Sequence, residues 1–134
     1  MTPALVLVGA LSVYAPNDGH NHGRLACGGR LEATSRHVAI RSWRGLCGAP
    51  VRVCAQATGR CAWTTVRDSG PWGLTCGRGR GASWRVWTRH AIPAGCRRRA
   101  VADLTRALWV ELGRPRFLSE IRVEIFRRGA EVTS

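Results

Sequence analysis

Six cysteines stand in a chain of 134 residues, and their spacing constrains folding more than any other feature of the sequence. A chain this short builds one hydrophobic core, with little room for a second. Small domains of that kind are commonly stapled by disulfides in an oxidising compartment. Cys27, Cys47, Cys54, Cys61, Cys76 and Cys96 contain no Cys-x-x-Cys pair and no His at zinc-finger spacing, so the pattern favours three disulfides over a metal site. The runs Val51–Cys54 and Cys61–Val66 alternate and flank residues 55–60, which contain Thr58-Gly59. That is a hairpin signal, and it sets Cys54 opposite Cys61. Cys76 with Cys96 and Cys27 with Cys47 complete the working assignment, while the sequence leaves other pairings open.

Further strands are expected at Ala4–Val8, buried as the first strand, and at Ile121–Ile125, a strictly alternating closing strand. Ser83–Thr88 is a weaker candidate. One helix is expected from Arg98 to Leu112, where Val101, Leu104, Leu108 and Leu112 recur at three- and four-residue steps. Gly113 would cap it, and Pro115 prevents its continuation. The stripe reads as core packing. Asp103 reads as an acid in the first helical turn, complementing the dipole and the preceding arginines. Residues 69–82 read as a long Gly-rich loop tied down through Cys76, and such loops are usually functional or disordered. The expected architecture is mainly β: a single domain over residues 1–134, with its core at about 4–126 and a short C-terminal tail.

Every one of the 21 basic residues is Arg; the 8 acidic residues leave a formal charge of +13. Such a surface attracts polyanions, whether nucleic acid, teichoic-acid-bearing wall or anionic glycan. Nucleic acid ranks last, because Arg97, Arg98 and Arg99 form the only run of three and the other arginines are dispersed along the sequence. His20-Asn21-His22 has no metal or nuclease pattern around it and reads as solvated surface. No metal and no cofactor is called for. The apolar run Pro3–Val13 resembles a signal-peptide core, but no basic residue precedes it and no small-x-small site follows. It is too short and Gly-interrupted to cross a bilayer, so no membrane contact is expected.

The order of local motifs resembles that of RlpA-like proteins. His22-Gly23-Arg24-Leu25-Ala26-Cys27-Gly28-Gly29 is similar to the family's His-Gly-Arg-x-Ala-x-Gly opening, and Cys47 to Val53 to its Gly-Thr-x-Val-x-Val strand. Thr58-Gly59-Arg60 resembles its Asn-Gly-Arg hairpin tip. Val66-Arg67-Asp68-Ser69-Gly70-Pro71-Trp72 is similar to its Val-x-Asp-Arg-Gly-Pro-Phe hallmark. Ala102 to Ala107 resembles its Asp-Leu-Ser-x-Ala segment, and Val123-Glu124-Ile125 its last strand. The resemblance runs from about Val13 to Ile125. It implies a six-stranded double-psi β-barrel, related to barwin and expansin domains, that binds polysaccharide; some members are lytic transglycosylases that cleave peptidoglycan.

For such chemistry the resemblance offers Asp68 as the catalytic carboxyl. It would protonate the leaving glycosidic oxygen and then act as base, the sugar's own hydroxyl replacing water. Burial beside Trp72 or Trp63 would raise its pKa, and Arg67 would oppose this. Equally, an Asp before Ser-Gly-Pro accepts hydrogen bonds from the turn that follows. Two positions depart from the family: Gly29 replaces a Glu, and Ile40 replaces the His of an Ala-His-Arg motif. Glu32 and His37, each three residues away, are the candidate substitutes. Trp72, Trp43 and Arg24 complete the expected glycan contacts, since aromatic faces stack on sugars; most of the six tryptophans are expected in the core.

The expected partner is therefore peptidoglycan or another anionic glycan, in the wall or extracytoplasmic space. The alternative is a non-catalytic virion component, such as a phage tail-tip protein, contacting other virion proteins. The missing export signal, which points to host lysis or carriage in a particle, and the two departures favour that alternative.

Overall fold

The computed structural model describes residues 2–14 and 23–128. His22, the His20-Asn21-His22 triplet and the C-terminal tail from residue 129 lie outside the described residues. Nine strands and one helix follow in order: β1 Leu5–Tyr14, β2 Val38–Ala39, β3 Pro50–Ala55, β4 Cys61–Asp68, β5 Gly73–Cys76, β6 Ser83–Val86, β7 Cys96–Arg98, β8 Ala102–Thr105, α1 Arg106–Glu111 and β9 Glu120–Ile125. Six of the strands close a barrel in the order β1-β8-β2-β4-β3-β9. The pairs β1–β8 and β2–β4 are parallel, and the remaining neighbours are antiparallel. This is the mainly β barrel expected, of double-psi type.

Period-two alternation builds it. In β3 and β9, Val51, Val53, Ile121, Val123 and Ile125 are fully buried, while Arg52 and Arg122 between them are exposed. Leu11, Val38, Leu104, Leu108 and Leu112 fill the same core. All three disulfides form as assigned. Cys54–Cys61 and Cys76–Cys96 join residues paired in register on adjacent strands, each at 4.0 Å between Cα atoms, and Cys27–Cys47 ties two loops at 5.5 Å.

Four expectations are corrected. The helix expected from Arg98 to Leu112 is helical only over Arg106–Glu111. Its apolar stripe is core, but Ala102 to Thr105 pair with β1, Asp103 and Leu104 pair with β2 as well, and these six ladder pairs override local helical periodicity. Asp103 is consequently a strand residue between buried Ala102 and Leu104, and not an acid in a first helical turn. The helix stop is where Gly113 placed it: Gly113 has φ +86°, and its N–H donates to the Val110 carbonyl at 3.0 Å. The Gly-rich segment 69–82 is not all loop: its residues Gly73–Cys76 form β5, which pairs with both β6 and β7 in a separate three-stranded sheet. The first strand is twice the expected length, Leu5–Tyr14, and it is not buried throughout, since Val6 and Val8 are exposed; it pairs with β9 through its first half and β8 through its second. No helix among the described residues is long and apolar enough to cross a membrane.

Candidate functional site

Leu11, Val38 and Leu104 point into the barrel, so their chain neighbours Ser12, Ala39 and Asp103 face outward. Register sets Ser12 opposite Asp103 and Asp103 opposite Ala39. Asp68, the last residue of β4, pairs with Ala39 from its other side after a bulge in the β2–β4 ladder. The two carboxylates thus flank one strand, roughly 10 Å apart at the backbone. Above this floor lies an open groove of about 660 Å³.

Hydrogen bonds hold the floor residues in place. Asp68 Oδ1 accepts the Ser69 N–H at 2.9 Å and the Ala26 N–H at 2.8 Å, and the Asp68 carbonyl accepts from Ile40 at 3.1 Å. The first of these is the turn bond expected of an Asp before Ser-Gly-Pro. The second ties the groove to the loop that Cys27–Cys47 cross-links. Ser12 Oγ donates to Asp103 Oδ1 at 3.1 Å. Tyr14, on the same face of β1 as Ser12, lies with its hydroxyl 2.5 Å from His37 Nε2. Burial first, then the charges of Asp68 and Asp103 and a hydrogen bond with Asp68, push the Tyr14 hydroxyl far above the ordinary phenol range. It stays protonated and can donate to a carboxylate or a ligand oxygen. Burial, aided by the Arg67 guanidinium, pulls the His37 imidazole down to about 4, so it is neutral at pH 7.

The walls are aromatic and basic. Arg24, Trp43 and Arg44 come from the loops before β3, with the Arg44 guanidinium 4.9 Å from the Trp43 ring centroid. Trp72, Trp84 and Arg99 come from the small sheet and its approaches. Arg41 Nη1 fastens that side, donating to the carbonyls of Pro71 and Ala100 at 2.8 Å each.

Of the residues singled out from the sequence, the groove brings together Asp68, Arg24, Trp43 and Trp72. His37 is 4% exposed and lies behind Tyr14 instead of lining the groove. Glu32 is exposed and outside it, its N–H donating to Ser35 Oγ at 2.7 Å. Ile40, where the resembled family carries a His, is fully buried in the barrel core. Sequence reasoning did not place Ser12, Tyr14, Trp84 or Arg99 at a site, and it gave Asp103 a helical role instead. The alternation of Ala102, Asp103 and Leu104 was the one signal that Asp103 belongs to a strand.

No protein-family model matches this chain, and no curated protein matches its sequence. Solved structures do resemble it. The Streptomyces papain inhibitor superposes with a TM-score of 0.54 at 21% identity, over 93% of this chain and 97% of that one. The apo expansin of Clavibacter michiganensis gives 0.55 at 18% identity, over 96% of this chain and 54% of that one. A point mutant of that expansin in complex with cellohexaose gives 0.50, with the same identity and coverage. This chain spans about half the length of the expansin. What the chain shares with these proteins is a fold: the closed six-stranded barrel.

Proposed function

We propose that this protein binds an extended cell-wall glycan in the groove, and that the glycan is peptidoglycan, as the RlpA-like motifs imply. The observation that carries the reading is the groove itself. Two carboxyl groups and a protonated tyrosine sit on a floor walled by Trp43, Trp72 and Trp84 and the guanidinium groups beside them, an arrangement that offers aromatic and cationic surface to sugar rings and polar groups to their hydroxyls. The expansin bound to cellohexaose, which has the same barrel, supports an oligosaccharide as the kind of ligand.

The same floor supports glycan cleavage of the transglycosylase type. In its protonated form Asp68 would deliver a proton to the leaving glycosidic oxygen as the bond to the anomeric carbon breaks. It would then take the proton from the sugar's own hydroxyl as that oxygen bonds to the anomeric carbon. Asp103 and Tyr14 would hold the ring and its developing charge. The test incubates the parent, Asp68→Asn and Asp103→Asn with peptidoglycan sacculi, following co-sedimentation and released anhydro-muropeptides by mass spectrometry. The expected result is binding by all three and release by the parent alone, reduced at least about 100-fold in Asp68→Asn. Binding without release would leave a glycan-binding barrel, and absence of binding would overturn the reading.

A second reading has its own observation: the superposition with the Streptomyces papain inhibitor spans nearly all of both chains. Titration of papain with the purified protein decides it, stoichiometric loss of activity supporting an inhibitor and full activity excluding one.

A further inference from the structure

Between Asp68 and Asp103, residues 69–102 contain no acidic side chain and seven arginines. Along the sequence these look scattered, but the fold gathers them on the β5–β6–β7 sheet and its turns. Trp84 pairs with Thr75, and Thr75 with Arg97, so these share one face of the sheet; Gly73 and Trp84 of that face line the groove. The Arg99 N–H continues the ladder to the Gly73 carbonyl at 3.0 Å, which puts Arg99 on the same face, about 7 Å from Arg97. Arg97 Nη1 donates to the Gly77 carbonyl at 3.0 Å, and the exposed turn that follows carries Arg78 and Arg80. A line of cations thus leaves the groove and runs to the tip of the sheet.

Nothing within the described residues neutralises it. The ion pairs there, Arg36–Glu111 and Arg52–Glu124, lie on other elements. Neither are the aromatic rings of the sheet simply open platforms. Arg85 and Arg89 both lie over Trp87, at 5.1 and 5.9 Å, while Arg98 lies over Trp72 and Arg99 over Trp84, at 5.3 and 5.8 Å. Rings engaged in this way hold guanidinium groups in place. The ligand this surface suits is recognised by regularly spaced charge alone. Guanidinium forks fit phosphate oxygens, and weak hydration makes Arg the preferred residue for that contact. Alternate-residue spacing along β7 matches a chain with one charge in each short repeat.

We propose that this face docks a base-free, phosphodiester-linked polymer of the cell wall, which runs on from the groove across Arg99 and Arg97 to Arg78 and Arg80. Its affinity resides in the arginines of the sheet and not in cleavage at the groove, so its failure is distinguishable from failure of the glycan reading.

Isothermal titration of the full chain with poly(glycerol phosphate) at low and moderate salt tests the proposal, with poly-glutamate and oligo(dT) of matched charge as comparators. The parent is expected to bind poly(glycerol phosphate) at least about 5-fold more tightly than either comparator, with an affinity that falls steeply with salt. The variant R78Q/R80Q/R97Q is expected to lose at least about 10-fold and to show a shallower salt dependence. R116Q/R122Q/R127Q removes the same charge from exposed positions elsewhere and is expected to stay within about twofold. Because Arg97 also bonds the Gly77 carbonyl, R78Q/R80Q, confined to the exposed turn, provides the fold-neutral version, with an expected loss of about 3-fold. Equal weakening by the distant triple variant would reduce the effect to net charge and overturn the proposal. So would poly-glutamate or oligo(dT) binding as tightly as poly(glycerol phosphate).

Discussion

His37 illustrates how a single buried side chain couples the groove to pH. Its imidazole is sealed behind Tyr14, and burial holds its pKa at about 4, against an ordinary value of 6.5. Between those values the unfolded chain binds a proton that the folded chain refuses, so stability falls as pH drops through that window and is constant above it. The expected loss is on the order of 2–3 kcal/mol between pH 7 and pH 4. Urea unfolding at pH 4.5, 5.5 and 7.5 measures it, and His37→Gln should flatten the profile over that range. A parent whose stability does not change across these pH values would show that His37 is not excluded from water. Asp68 shows a different balance: its carboxylate serves the turn that follows and the groove at once, because only Oδ1 is used by the Ala26 and Ser69 N–H groups.

At the scale of elements, the barrel and the β5–β6–β7 sheet are held by different means. The barrel has a continuous apolar core, whereas β6 is exposed along its whole length and the one fully buried side chain of β5 is Leu74. The sheet therefore relies on backbone ladders, cation–π contacts and the Cys76–Cys96 bridge, whose cysteines are separated by 20 residues. Loop-closure entropy puts that bridge at about 3 kcal/mol. Replacing both cysteines with Ser is expected to raise amide hydrogen exchange in β6 and β7 by at least about 10-fold while β3 and β9 keep their protection. Uniform loss of protection across both sheets would mean that the small sheet and the barrel unfold as one unit.

At the scale of the whole molecule, a formal charge of +13, from 21 basic residues against 8 acidic ones, makes self-repulsion a standing cost to the compact state. Screening should relieve it: raising NaCl from about 10 mM to 300 mM shortens the Debye length from about 30 Å to well under 10 Å. The Tm is expected to rise by several degrees over that range, read by differential scanning fluorimetry. A Tm that falls with salt would show that the arginines are, in sum, favourably paired. The same excess of cations draws the molecule to anionic wall polymers, so the charge that weakens the fold would serve the docking proposed for it.

The sequence by itself determined whatever depends on neighbours along the chain. Alternation at Val51–Cys54, Cys61–Val66 and Ile121–Ile125 marked three barrel strands, Thr58-Gly59 marked their hairpin and so one disulfide, and Gly113 marked the end of the helix. The barrel architecture and Asp68 were legible through ordered motifs. What only the tertiary structure decided depends on residues far apart in sequence. Asp103 became a floor residue because β1 and β2 captured Ala102–Thr105 as a strand, outweighing a helical stripe whose apolar positions satisfy the core equally well in either form. Tyr14 and His37 meet across 23 residues, a contact with no local signature. Arg97 and Arg99, with Arg78 and Arg80 in the adjoining turn, became one surface only when β5 paired with both its neighbours. Sequence order carries periodicity and turn chemistry; strand register decides which distant side chains share a face.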